Sequence, residues 1–215
     1  YLTAAASAGP VDALDLRRRA ADQLLRSGHI DRGLDVLRTV LGAVGLSMPG
    51  SPRTALVALL PRRAQVRLRG LSFTPRDEAN VPGDELLRID ACWSVAAGLG
   101  LVDNVRGSYF QARGLLFALA AGERFRIARA LAAEAAFSSS QGGPSAARTA
   151  RLLAEAERIA TEIDQPYARA WTAGAGGMAA ALEGRWPAAL ARCTAGIELF
   201  RDRCVGVSWE LAILH

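Results

Sequence analysis

The chain has 215 residues, 51% of them hydrophobic and 22% charged, with a formal net charge of +5 and an isoelectric point near 9.8. That is enough apolar matter for a packed core and too much for a disordered chain. No lysine occurs, since all 26 basic residues are arginine, and a Walker-type phosphate loop, a protein-kinase site or Schiff-base chemistry therefore lacks its amine.

Ala, Leu and Arg favour helices, whereas β-branched and aromatic residues are sparse, so an all-α fold of about nine or ten helices is expected. The first helix is predicted over 12–27, with Leu14, Leu16, Ala20, Ala21, Leu24 and Leu25 on one stripe and Arg17, Arg18, Asp22 and Arg26 facing away. Gly28 stops it, and a second follows over 30–44. After "SMPGSP", Ser51 is read as the N-cap of a third helix reaching Gly70, which Pro61 should kink or split. This irregular kinked unit spans 47–82. A fourth helix over 84–100 holds Cys92 and Trp93, and Asp103 can cap a fifth reaching Ala121. Further helices are expected over 124–139, 144–163, 166–183 and 187–203, with a last one beginning near Val207.

Turns near Gly28, Val102, Gln141 and Gly184 pair these helices at a period of about 40 residues, with a double interval around the kinked unit. Helix-pair repeats of that length build solenoids. In "AADQLLRSGHIDRGLDVLRTVL" and "GGMAAALEGRWPAALARCTAG", small residues (Ala21 and Gly33; Gly177 and Ala189) fall where two helices would cross closely. This resembles the tetratricopeptide pattern, though it departs in repeat length and lacks the closing proline. It implies antiparallel pairs stacked as one tetratricopeptide-like domain over 1–215. The stretches "LLRIDACWSVAAGLGLVDNVRGSYFQARGLLFAL" and "ALEGRWPAALARCTAGIELFRDRCVGVSWEL" further resemble the helical region of large bacterial regulators that carry a serine/threonine kinase and an AAA/STAND-type ATPase. The resemblance implies a non-catalytic segment that binds a protein partner or the other domains of its own polypeptide. The start at Tyr1 and the stop within "SWELAILH" are read as those of a fragment of a longer chain.

Catalytic candidates are few. Only His29 and His215 are available, so a three-histidine metal site cannot form, and His29 is expected in a solvated turn. Cys92, Cys193 and Cys204 match neither a zinc ribbon nor a disulfide framework, which suits a reducing, cytoplasmic setting. The longest uncharged stretch, 91–102, falls well short of a membrane span. No cofactor, metal or enzymatic activity is expected.

Three binding candidates remain. Arg62, Arg63, Arg67 and Arg69, with Arg53 and Arg76, form a basic patch, followed by the acidic residues Asp77, Glu78, Asp84 and Glu85, which would neutralise a merely solvated face. Trp171, Met178 and Leu182 are placed to face a groove, or else to be buried against the next repeat. Tyr109 and Arg113 form a similar pair. The glycines of "GAGGMAA" are read as close-packing positions and not as a phosphate loop. The rival reading is an arginine-rich solenoid that binds nucleic acid or another polyanion.

Overall fold

A computed structural model describes residues 1–140, 142 and 145–215. The expected turn at Gln141 and the helix start at Pro144 lie outside them. Among the described residues the chain forms eleven α-helices and no strand: α1 (Leu2–Ser7), α2 (Pro10–Arg26), α3 (Ile30–Ala43), α4 (Pro52–Arg69), α5 (Gly83–Leu99), α6 (Asn104–Ala121), α7 (Arg124–Ser139), α8 (Ala146–Glu162), α9 (Pro166–Leu182), α10 (Trp186–Arg203) and α11 (Ser208–Leu214). The additional helix is α1, a run of six residues too short to display a helical period. Two compact units result, Tyr1–Phe73 with Glu78–Ala121, and Thr74–Asp77 with Gly122–His215.

In the first unit α2 pairs with α3 and α5 with α6; α2 also lies against α5, and α4 packs on α6. Gly28 ends α2 with φ 84°, a conformation that favours glycine. The Gly28 N–H donates to the Leu25 carbonyl and the His29 N–H to the Leu24 carbonyl, the paired bonds of a Schellman stop. At the crossing, a Cβ on Gly33 would fall 2.8 Å from Leu25 Cγ and 3.1 Å from its backbone nitrogen.

The polar side of α2 is not the solvated face the sequence suggests. Arg18 donates to the Ser94 hydroxyl of α5 at 3.2 Å, and Asp22 and Arg26 form a mostly covered ion pair at 3.0 Å. Because α2 is flanked by both α3 and α5, its apolar stripe cannot be its only contact.

The capping box of α4 is complete. Ser51 Oγ accepts from the Thr54 N–H, and Thr54 Oγ1 accepts from the Ser51 N–H. Of the two expected outcomes at Pro61, a split does not occur: α4 runs as one helix through it. Pro61 lies on the exposed side, and the residue whose carbonyl loses its donor, Val57, is itself exposed, so that carbonyl is not left in a dry core. The connection ahead of α4 is fastened by two arginines: Arg88 Nε donates to the Val44 carbonyl and Arg106 Nε to the Pro49 carbonyl, each at 3.0 Å. Asp103 caps α6 by accepting from the Arg106 N–H at 3.0 Å.

In the second unit α7 pairs with α8 and α9 with α10, α9 packs on both α7 and α8, and α11 packs on α10 and α9. The α9–α10 turn repeats the earlier stop: Gly184 has φ 74°, and the Gly184 and Arg185 N–H groups donate to the Ala181 and Ala180 carbonyls. Gly177 meets α10 so closely that a Cβ would collide with Cys193 Sγ and fall 3.0 Å from the Cys193 nitrogen. Gly196 likewise approaches the Ala170 carbonyl of α9. The glycines of 174–177 are therefore packing sites inside a helix. Tyr167 joins three helices here, with its ring edge-on to Phe200 of α10 and its hydroxyl donating to Glu210 of α11 at 2.9 Å.

Candidate interaction surfaces

Helix α4 is apolar on two opposite sides. Ala55, Leu59 and Val66 are buried, and α4 packs on α6. Leu56, Val57, Leu60 and Leu68 remain exposed, Leu68 to 88%. The helix carries Arg53, Arg62, Arg63, Arg67 and Arg69 and no acidic residue. Arg62 donates to Gln65 Oε1 at 2.9 Å. Arg69 holds the chain after α4, donating to the Ser72 carbonyl at 2.9 Å and to the Leu119 carbonyl of α6 at 3.0 Å. Arg63 is half-buried, while Arg53 and Arg67 are exposed and meet no carboxylate among the described residues. Of the acidic residues after α4, Asp77 turns to Arg124, 3.6 Å away.

Tyr109 and Arg113 do come together on α6. The Arg113 guanidinium donates to the Tyr109 hydroxyl at 2.9 Å and lies 5.5 Å from the Tyr109 ring centre and 5.4 Å from that of Phe117. Arg88 of α5 sits 5.7 Å from the same Phe117 ring. Tyr109 is nevertheless buried, packed edge-on against Phe110. This cluster stacks guanidinium groups on aromatic faces and ties α5 to α6. Beneath it, burial pushes the Cys92 thiol up to about 12, partly offset by Arg113 and Arg88. Such a thiol is a packing group and a poor nucleophile.

Trp171, Met178 and Leu182 do not share one open face. Trp171 is buried, its indole N–H donating to the Arg129 carbonyl of α7 at 3.3 Å. Met178 is half-buried, and only Leu182 is exposed. The open apolar surface lies one turn further on, where Leu182 is followed by exposed Trp186 and Leu190 at the start of α10.

A groove of about 400 Å³ is lined by Leu153 and Glu157 of α8 with Glu183, Arg185 and Arg192. Arg192 reaches Glu157 at 2.6 Å, and Arg185 pairs with Glu183 at 2.6 Å. The bare backbone of Gly176 opens the path, since a Cβ there would stand 2.5 Å from the Arg192 guanidinium. Glu155, two residues before Glu157, pairs instead with Arg158. The two carboxylates thus serve different contacts and make no acid–base couple. His29 is exposed at the N-cap of α3, and no group of three or more His, Cys, Asp or Glu among the described residues could hold a metal ion. Among the same residues no helix is long and apolar enough to cross a membrane.

Sequence reasoning did not mark Arg88, Phe117, Arg192, Trp186 or the exposed leucines of α4. Trp186 falls inside the helix-pair pattern of the α9–α10 segment, yet it opens α10 and stands exposed. Compared with protein-family models, characterised proteins and solved structures, the chain matches none.

Proposed function

We propose that this chain is a non-catalytic interaction and regulatory scaffold, a tetratricopeptide-like segment of a multidomain bacterial signalling protein of the kinase–ATPase type, acting in the cytoplasm. The observation that carries this reading is the packing order within each unit. The first helix of one pair lies against the first helix of the next, α2 on α5 and α7 on α9. Stacked pairs of this kind spend their ionisable groups on ties between helices and leave helix faces and tips for partners. The ion pairs Glu134–Arg148 and Glu157–Arg192 fit that division of labour. The unpartnered apolar surfaces at α4 and at the α9–α10 tip supply binding area that no helix of their own unit covers.

A photo-crosslinking amino acid placed at Leu60 and, separately, at Leu190 of the full-length protein in its native host tests the proposal. A reproducible adduct with a protein partner, or with another domain of the same polypeptide, is expected from at least one site. The polyanion reading draws on the net charge of +5. It prevails if random DNA or RNA binds with sub-micromolar affinity that survives physiological salt, since binding by charge alone weakens steeply with salt.

A further inference from the structure

On the outer side of α4, Arg53, Val57, Leu60, Ala64 and Arg67 follow one another at spacings of four, three, four and three, and every one is exposed. That alternation is the seam by which one α-helix packs along another. Val57 and Leu60 are 70% and 63% exposed, Ala64 is small enough for close approach, and Leu68 and Leu56 flank the row. Each end of the seam is an arginine with no carboxylate beside it among the described residues. The two stand 14 positions apart (67 − 53), or about 21 Å along the axis. We infer that the outer face of α4 docks an acidic amphipathic helix of a partner protein, one whose apolar stripe covers Val57, Leu60 and Ala64 and whose carboxylates pair with Arg53 and Arg67. This deepens the scaffold reading and rests on it.

Charge excludes the other occupants in turn. A second copy of this face would set arginine against arginine in either orientation, because α4 carries five arginines and no acid. A lipid bilayer would have to accept Arg53 and Arg67 on the same face of the helix as Val57 and Leu60, where they cap the row instead of flanking it along its length. A nucleic acid would lay phosphates against Val57, Leu60 and Leu68, which offer them nothing. A helix bearing acids at both ends of a leucine stripe satisfies every group on the face.

The test uses the whole chain and fluorescence anisotropy with two labelled helical peptides of one leucine-stripe design, bracketed by glutamates in one and by lysines in the other. The glutamate peptide is expected to bind the wild type, and more weakly at about 300 mM than at about 50 mM salt. Arg53→Glu with Arg67→Glu should weaken it about tenfold or more and let the lysine peptide bind instead, while Leu60→Asn weakens both pairings. All three positions are exposed, so an unchanged helical spectrum and melting point confirm that the variants fold. Equal binding of the two peptides, or no effect of the charge reversal, overturns the inference. Self-association, binding to phosphatidylserine vesicles or binding to random DNA that alone responds to these variants also overturns it in favour of that occupant. Crosslinks at Leu190 without any at Leu60 would remove this docking site and leave the scaffold reading intact; crosslinks at neither would remove both.

Discussion

The carboxylate of Glu134 on α7 is wholly enclosed, and the Arg148 guanidinium of α8 reaches it at 3.0 Å. This contact joins the two helices of one pair. A charge taken out of water depends on its partner, and removing the partner costs more than the pair itself contributes. Arg148→Met should therefore destabilise the second unit by about 3 kcal/mol in urea titrations. Replacing both residues, Glu134→Leu with Arg148→Met, should recover most of that loss. A double variant as unstable as the single one would show that Glu134 is not the group Arg148 serves.

Glycines at superficially similar helical positions should respond in opposite directions. At Gly177 the neighbours of an added Cβ include the Cys193 backbone nitrogen at 3.0 Å and the Ala189 carbonyl at 3.2 Å, which cannot move without parting α9 from α10. Gly177→Ala should cost about 1–3 kcal/mol, as overpacking does. Gly42 on α3 has nothing within 4 Å of its added Cβ, and Gly42→Ala should stabilise by about 0.5–1 kcal/mol through helix propensity and a less free unfolded chain. Thermal melts of the two variants decide, and a stabilising Gly177→Ala would contradict the close crossing.

Alkaline pH should loosen the first unit through Cys92. Its thiol stays protonated in the fold up to about 12, whereas the ordinary value is 9.0. The unfolded chain releases this proton first, so the stabilising contribution is whole below pH 9 and is lost progressively as pH rises towards 12. Cys92→Ala should flatten the stability curve over that window relative to the wild type. With a thiol-reactive dye at pH 8, the less buried Cys193 and Cys204 should label in the native state, and Cys92 only on unfolding. Native labelling of Cys92 at a rate similar to the other two would refute its enclosure.

The helix stops were legible because they are local. Gly28 and Gly184 announce themselves, and Ser51 and Asp103 cap the helices that follow them. Small residues at the crossings were legible for the same reason, since Ala21 and Gly177 stand equally far before their turn glycines, and Gly33 and Ala189 equally far after them. Which face turns inward was legible in α2, where Ala20, Ala21 and Leu25 of the apolar stripe are buried, but not in the later helices. Trp171 and Trp186 look alike as letters, yet one lies inside against α7 and the other stands in the open. The difference depends on α7 lying beside α9, a partner more than thirty residues away. Helix α4 defeats periodicity outright, because apolar residues line both its sides and only the position of α6 decides which row is covered. Arg18 and Arg192 were misjudged or overlooked for a related reason: their partners, Ser94 and Glu157, are distant in sequence.

The arginines of α4, one charge cluster in the sequence, separate in the structure into those that hold the fold and those that face outward. Arg69 ties the segment after α4 to α6 by donating to the Ser72 and Leu119 carbonyls. Arg67, two residues earlier, is exposed and makes no hydrogen bond or ion pair among the described residues. Hydrogen bonds from a charged donor contribute about 1.5–3 kcal/mol each when protected, and less at an exposed site such as this one. Arg69→Ala should accordingly lower the stability of the first unit by about 1–2 kcal/mol, while Arg67→Ala should stay within about 0.5 kcal/mol of the wild type. Hydrogen exchange gives the sharper readout. Arg69→Ala should speed exchange at the C-terminal turns of α4 and α6, and Arg67→Ala should leave both unchanged. Equal effects from the two substitutions would mean that the cluster acts as a single electrostatic patch, and that the division between anchoring and outward-facing arginines is wrong.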